Sequence, residues 1–169
     1  MTFFAIRPKS YPLIIIILIA IMNSCDHGLA PPEKRTGISG VIRYNNWPPA
    51  DSLIDLRLVI FDNYPPGDIF FEITSGRAVV YPPLGPRSLP FYVDSTEFFV
   101  NIAPGHYEYV VVAQQYGENL TSDWRAVGQY DTTGSGRDSI PTPIDVLDNS
   151  ILENIQINAD FKNKPPQPF

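Results

Sequence analysis

The side chains that could do chemistry in this chain are few. One cysteine, Cys25, and two histidines, His27 and His106, are all it holds of the residues that most often serve as nucleophile, general base or transition-metal ligand near neutral pH. One histidine follows the cysteine closely and the other falls in a turn, so neither a zinc set nor a Ser-His-Asp arrangement can be assembled. The expectation is a non-catalytic protein without metal or cofactor. Asp131, Asp138, Asp145 and Asp148 surround a Gly-rich loop where oxygen ligands could meet calcium, but EF-hand spacing is missing and solvated carboxylates are the ordinary reading. Trp47, Tyr64, Tyr81, Tyr116 and Trp124 fall near loops. Gathered on one surface they would stack on sugar rings or grip a partner protein; scattered, they would cover the ends of a core.

The place of Cys25 gives it meaning. Arg7 and Lys9 supply a short positive region, and ten consecutive apolar residues, Leu13 to Met22, follow before Asn23-Ser24. A bilayer-spanning helix needs about 20 such residues, so the pattern is an export signal instead. Met22-Asn23-Ser24-Cys25 resembles the lipobox of bacterial lipoproteins, in which a small residue precedes a cysteine that is acylated and then freed. That resemblance implies a signal peptide over residues 1–24 and a lipid on Cys25 that holds the protein to a membrane of the bacterial cell envelope. The competing processing site, after Gly28-Leu29-Ala30, would discard Cys25. Asp26 leaves the choice of inner or outer membrane open. Residues 25–36 carry Pro31, Pro32 and mixed charge without apolar period, as a flexible tether does.

Composition narrows the partners. Loss of Arg7 and Lys9 with the signal takes the net charge from −6 to −8, and no basic cluster remains to release counterions from a phosphate backbone, which excludes nucleic acid. The 18 prolines among 169 residues are about twice the usual share and confine any substantial helix to Gly105–Ile140 or Ile144–Lys164. Neither stretch is clearly helical.

From Gly37 onward, short apolar runs recur between turn signals, which predicts an all-β fold: one antiparallel β-sandwich of about seven or eight strands over residues 37–162, with a Pro-rich tail at 163–169. Ile38 to Tyr44 alternates, and Leu56 to Phe61 is apolar on most of both faces and therefore central. Ile69–Thr74 and Arg77–Tyr81 flank Ser75-Gly76 as a hairpin would. Ala103-Pro104-Gly105-His106 fits a type II turn, with Gly105 at positive φ, and Tyr107 to Gln114 forms the strongest strand. Trp124 to Tyr130 adds another. From Ile151 the pattern fits a helix face at Ile151, Leu152, Ile155 and Ala159, or a strand at Ile155, Ile157, Ala159 and Phe161; strand is favoured because it buries every apolar residue from Ile155 on. Three closures of the Trp/Tyr-Pro-Pro type recur 17 residues apart, at Trp47, Tyr64 and Tyr81, without matching strands between them.

The stretch Val93-Asp94-Ser95-Thr96-Glu97-Phe98-Phe99-Val100-Asn101-Ile102-Ala103-Pro104-Gly105-His106-Tyr107-Glu108-Tyr109-Val110-Val111-Val112 resembles the carboxypeptidase regulatory-like, or transthyretin-like, β-sandwich modules, and Ile38-Ser39-Gly40-Val41-Ile42 resembles their opening strand. The resemblance implies a sandwich of prealbumin or immunoglobulin type, used as a structural or binding module, with no catalytic residue to carry over. Tyr107 would either return its hydroxyl to nearby backbone, as a tyrosine corner does, or fill the core. The function expected is that of a lipid-anchored envelope module contacting another envelope protein; the alternative is carbohydrate binding at the cell surface.

Overall fold

The computed structural model describes residues 35–132 and 140–168. Its strands are β1 (Gly37–Asn45), β2 (Asp55–Phe61), β3 (Ala78–Tyr81), β4 (Ser95–Asn101), β5 (Gly105–Tyr107), β6 (Tyr109–Gln115), β7 (Trp124–Gln129), β8 (Ile144–Val146) and β9 (Ile151–Asp160). A 3-10 turn at Ala50–Ser52 and one short helix, α1 (Ile69–Thr74), complete the described elements. Cys25, the signal region, most of the tether, and Asp138 lie outside the described residues.

The fold is all-β and sandwich-like. A sheet of order β4-β1-β9 faces one of order β3-β2-β6-β7, and β5 pairs with β8 separately. Alternation builds the core between them: Ile38 and Ile42 from β1, Leu56, Leu58 and Ile60 from β2, and Val110 and Val112 from β6 point inward and are buried. The opposite faces of β2 and β6 are apolar too, so Val59, Phe61, Tyr109, Val111 and Ala113 form a second buried cluster on the outside of the four-stranded sheet. The three-stranded sheet shows solvent a polar outer face instead, with Arg43, Glu97 and Gln156 on it.

Pairing is antiparallel except between the first and last strands, where β1 and β9 run parallel. The register of that pair shifts between Ile38 and Gly40, and Asn154 takes a left-handed φ of 65°. This irregularity explains the mixed period of the segment: Ile151 and Leu152 belong to the phase before the bulge, Ile155, Ile157 and Ala159 to the phase after it. The two large sheets meet along β7 and β9, where Tyr130 bridges Ile157 and Gly128 lies so close that a Cβ would stand 2.6 Å from the Asn158 carbonyl oxygen.

Three sequence expectations need correction. Ile69–Thr74 is a helix, not the first arm of a hairpin. Asp68 caps its start by accepting from the Phe71 amide, and Gly76, at φ +79°, ends it: Gly76 N–H donates to the Ile73 carbonyl and Arg77 N–H to that of Glu72, the bond pair of a Schellman motif. Gly105 has no positive φ; its backbone is extended, because it opens β5 opposite Val146. The run Tyr107–Gln114 is two strands, since the chain turns at Glu108 from the β5–β8 pair into the four-stranded sheet.

Residues after β9 are not left loose. The Gln167 side-chain amide donates to the Ala126 carbonyl (3.1 Å) and accepts from the Ala126 amide (2.9 Å), filling a place on the β7 edge that another strand would take, and Pro165 is buried beside it.

Candidate functional site

The outer apolar cluster of the four-stranded sheet is only partly roofed. α1 crosses one end of it, the 82–85 loop flanks it, and the 116–123 loop closes the far side. Between them runs an apolar groove with a cavity volume of about 40 Å³, floored by Val59, Val80 and Ala113 and rimmed by Phe70, Leu84, Leu120 and Trp124. Phe70, Leu84 and Leu120 are each about half exposed, at 48, 48 and 55%. Large apolar side chains that stand together in solvent are unusual on a protein surface without a use.

Each wall is held by a polar clamp that uses up its own hydrogen bonds. The first is Arg57, which with Asp55 makes the charged pair of an otherwise apolar β2. Its Nε and Nη2 meet the Asp55 carboxylate at 2.7 Å, Nη1 donates to the carbonyls of Pro82 and Pro83 at 2.9 Å, and Nη2 donates to that of Gly85 at 2.9 Å. Arg57 is buried, at 2% exposure, and its bonds to the three carbonyls fix the loop that carries Leu84. Pro82 and Pro83 suit this role, having carbonyls to offer and no N–H to satisfy.

The second clamp is Glu72, buried on the inner side of α1. It accepts from Arg77 Nε (2.7 Å) and from the Gly67 amide (3.2 Å). The Arg77 hydrogen bond lowers its pKa; burial opposes that, and the Gly67 amide, the Arg77 charge and Asn63 add to the lowering. The Arg77 guanidinium also lies 5.0 Å over the Phe71 ring. The third clamp is Asp123, which accepts from the Asn119 amide (2.9 Å) and whose own amide donates to the Asn119 carbonyl (3.0 Å). Trp124 Nε1 donates to the Leu120 carbonyl at 2.7 Å, so the loop presenting Leu120 is tied at its base.

The five loop aromatics fall in separate places. Trp124 rims the groove and Tyr64 packs edge-on against Tyr109 in the same outer cluster, at 5.0 Å. Tyr116 is partly exposed, with the Arg125 guanidinium 4.9 Å over its ring. Tyr81 packs against the inner core. Trp47 stacks on Phe161 (4.6 Å), neighbours Tyr44 and Tyr92, and donates Nε1–H to the Val93 carbonyl. The structure does not bring them into one platform.

Tyr107 does both things weighed for it. Its hydroxyl donates to the Ala103 carbonyl at 2.9 Å, as in a tyrosine corner across Pro104 and Gly105, while its ring packs against the inner core. Partial burial, with the Asp62 charge behind it, pushes that phenol up. His106 is exposed and its Nδ1 meets the Asp145 carboxylate at 2.8 Å across the β5–β8 pair. Among the described residues no three His, Cys, Asp or Glu side chains converge as a metal site, and no helix is long and apolar enough to cross a membrane.

Sequence reasoning missed Arg57, Glu72, Phe70, Leu84 and Leu120. A signal existed for the first: Asp55 and Arg57, two apart on one strand, share a face of a strand that is otherwise buried, and a buried charge needs a partner. Scans against protein-family profiles, curated proteins and solved structures find no match to this chain.

Proposed function

We propose that this protein is a non-catalytic, lipid-anchored module of the bacterial cell envelope, carried on Cys25, that binds an apolar side chain of another envelope protein in the groove between α1 and the 116–123 loop. The observation that carries this reading is the exposed rim of Phe70, Leu84 and Leu120 over an apolar floor. The choice of a protein over a glycan rests on the lining. Sugar hydroxyls need free hydrogen-bonding groups beside the stacking ring, and the charged group that lines this groove, Arg57, spends its donors on Asp55 and three carbonyls. The acidic mature chain disfavours phosphate-rich ligands.

The test places a photo-crosslinking amino acid at Leu120 in intact cells, with Arg43, on the outer face of the other sheet, as the control position. A discrete protein adduct from Leu120, lost when Leu84 is replaced by Asp and missing from Arg43, supports the reading. No adduct from Leu120 or from Phe70, together with binding on a glycan array, overturns it in favour of the carbohydrate alternative. For the anchor, Cys25→Ser releases the protein from the membrane fraction or blocks its processing; a variant that matures and sediments with the membrane as before would refute lipidation.

A further inference from the structure

Strand β4 ends the three-stranded sheet, and its ladder to β1 shows which of its backbone groups remain open. Ile102 N–H donates to the Thr36 carbonyl and Tyr44 N–H to that of Asp94, in the same register that sets Ile38 opposite Val100 and Ile42 opposite Thr96. The even-numbered residues of β4 therefore bond to β1, and Ser95, Glu97, Phe99 and Asn101 turn their N–H and C=O groups away from the sheet. No backbone among the described residues meets them. The other edges are short or partly engaged: β3 has four residues, β9 is bridged at Ile157 by Tyr130, and the β7 edge carries Gln167 at Ala126. Over Ser95–Asn101 there is no proline, lysine or bulge to protect the edge, and Glu97 is its single charge.

We propose that β4 pairs antiparallel with β4 of a second copy of this chain across a two-fold axis at Phe98, joining the two three-stranded sheets into one. Full overlap of the strand fixes the register, with Ser95 opposite Asn101 of the second copy and Glu97 opposite its Phe99. That register also satisfies the charges. Arg35 stands over the Phe99 ring at 6.0 Å, so each Glu97 arrives beside the Arg35 guanidinium of the other copy. A slip that set Glu97 against its own copy would place like charges directly opposite and shorten the overlap. Odd-numbered side chains of β4 share the polar outer face, so pairing leaves the inward Phe98 and Val100 in their core.

The test is sedimentation velocity of the full chain in detergent across a concentration range, with far-UV circular dichroism as the fold control. The wild type dimerises with concentration. Phe99→Pro removes an outward N–H and spares the β1 ladder, and it sediments as a monomer. Glu97→Arg sets two cations together and raises the dimer dissociation constant about tenfold, since the two-fold axis counts the contact twice. Adding Arg35→Glu to it restores the dimer. A wild type that stays monomeric at every concentration, a dimer indifferent to Phe99→Pro or Glu97→Arg, or a folded double variant that fails to recover the dimer each overturns the proposal. Where Phe99→Pro does not fold, the charge exchange decides alone.

Discussion

Replacing Arg57 by Met removes a cation from the wall of the groove and keeps most of its apolar length. It leaves Asp55, whose side chain is 15% exposed, without its partner, and frees three carbonyls from their common donor. Breaking one side of a buried ion pair costs about 3–5 kcal/mol. The carbonyls sit on a loop whose residues 83–87 are exposed, so water replaces the donor there and the cost falls near the lower end, about 3 kcal/mol. A domain of this size shifts its Tm by about 3–5 °C per kcal/mol, which predicts a drop of about 10 °C. Urea unfolding followed by Trp47 and Trp124 fluorescence measures the loss, with an unchanged m-value. Hydrogen exchange then reads the local effect: the Leu89 amide, bonded to the Leu56 carbonyl, exchanges faster as the 82–89 segment opens. Arg57→Lys recovers less than half of the stability, because one ammonium has no fork to reach a carboxylate and three carbonyls together. A loss under about 1 kcal/mol at constant m refutes the assignment of Arg57 as the clamp.

Other perturbations test other joints. In Gly128→Ala the new Cβ meets backbone of β9 at 2.6 and 2.7 Å, so overpacking costs about 1–3 kcal/mol in a thermal or urea melt, and a cost below about 0.5 kcal/mol contradicts the close approach. The Glu72 carboxyl is held low, so its contribution is present above the ordinary glutamate range and is lost as pH falls through the lowered value; Glu72→Gln therefore flattens the acid side of a urea-midpoint-against-pH curve, and an unaltered slope counts against the clamp. Asp160 titrates in the same sense: burial opposes ionisation, but hydrogen bonds from Asn163, Asn46 and the Lys162 amide outweigh it, so Asp160→Asn also lessens acid sensitivity in that assay. Gln167→Ala uncovers the β7 edge and speeds hydrogen exchange at Ala126; unchanged protection there shows the tail contact to be unimportant.

The strands were legible where one face is apolar and the other polar, or where both are apolar over a short run. β1, β2, β4 and β6 follow from that alone. The helix was not, because Ile69-Phe70-Phe71-Glu72-Ile73-Thr74 is rich in residues that favour strands, and only its ends, Asp68 and Gly76, declare it. In so short a segment the caps outweigh propensity, and Glu72 adds a buried carboxylate whose partner, Arg77, lies beyond the helix. The groove was illegible for a different reason. Its rim comes from α1, from a proline loop and from a loop between β6 and β7, and nothing in the spacing of Phe70, Leu84 and Leu120 says that they meet. The strongest apolar run, Tyr107–Gln114, hid a change of sheet at Glu108, where a tyrosine-rich pattern continues although the hydrogen-bond partner does not.

The two large sheets differ in what they leave unfinished, and this separates the two binding proposals. The four-stranded sheet has an apolar outer face that α1 and two loops cover incompletely, so its remaining capacity is for apolar surface. The three-stranded sheet has a polar outer face and an open edge, so its capacity is for backbone pairing. Glu97 lies on the edge of the three-stranded sheet and Leu120 on a loop beside the four-stranded one, and perturbations at well-separated sites add independently. Leu120→Asp therefore abolishes crosslinking to a partner from Phe70 while the dimer forms as before, and Glu97→Arg weakens the dimer about tenfold while the crosslink from the groove persists. Were Leu120→Asp to dissociate the dimer, the second copy would be the occupant of the groove, and the edge would have to be assigned another role.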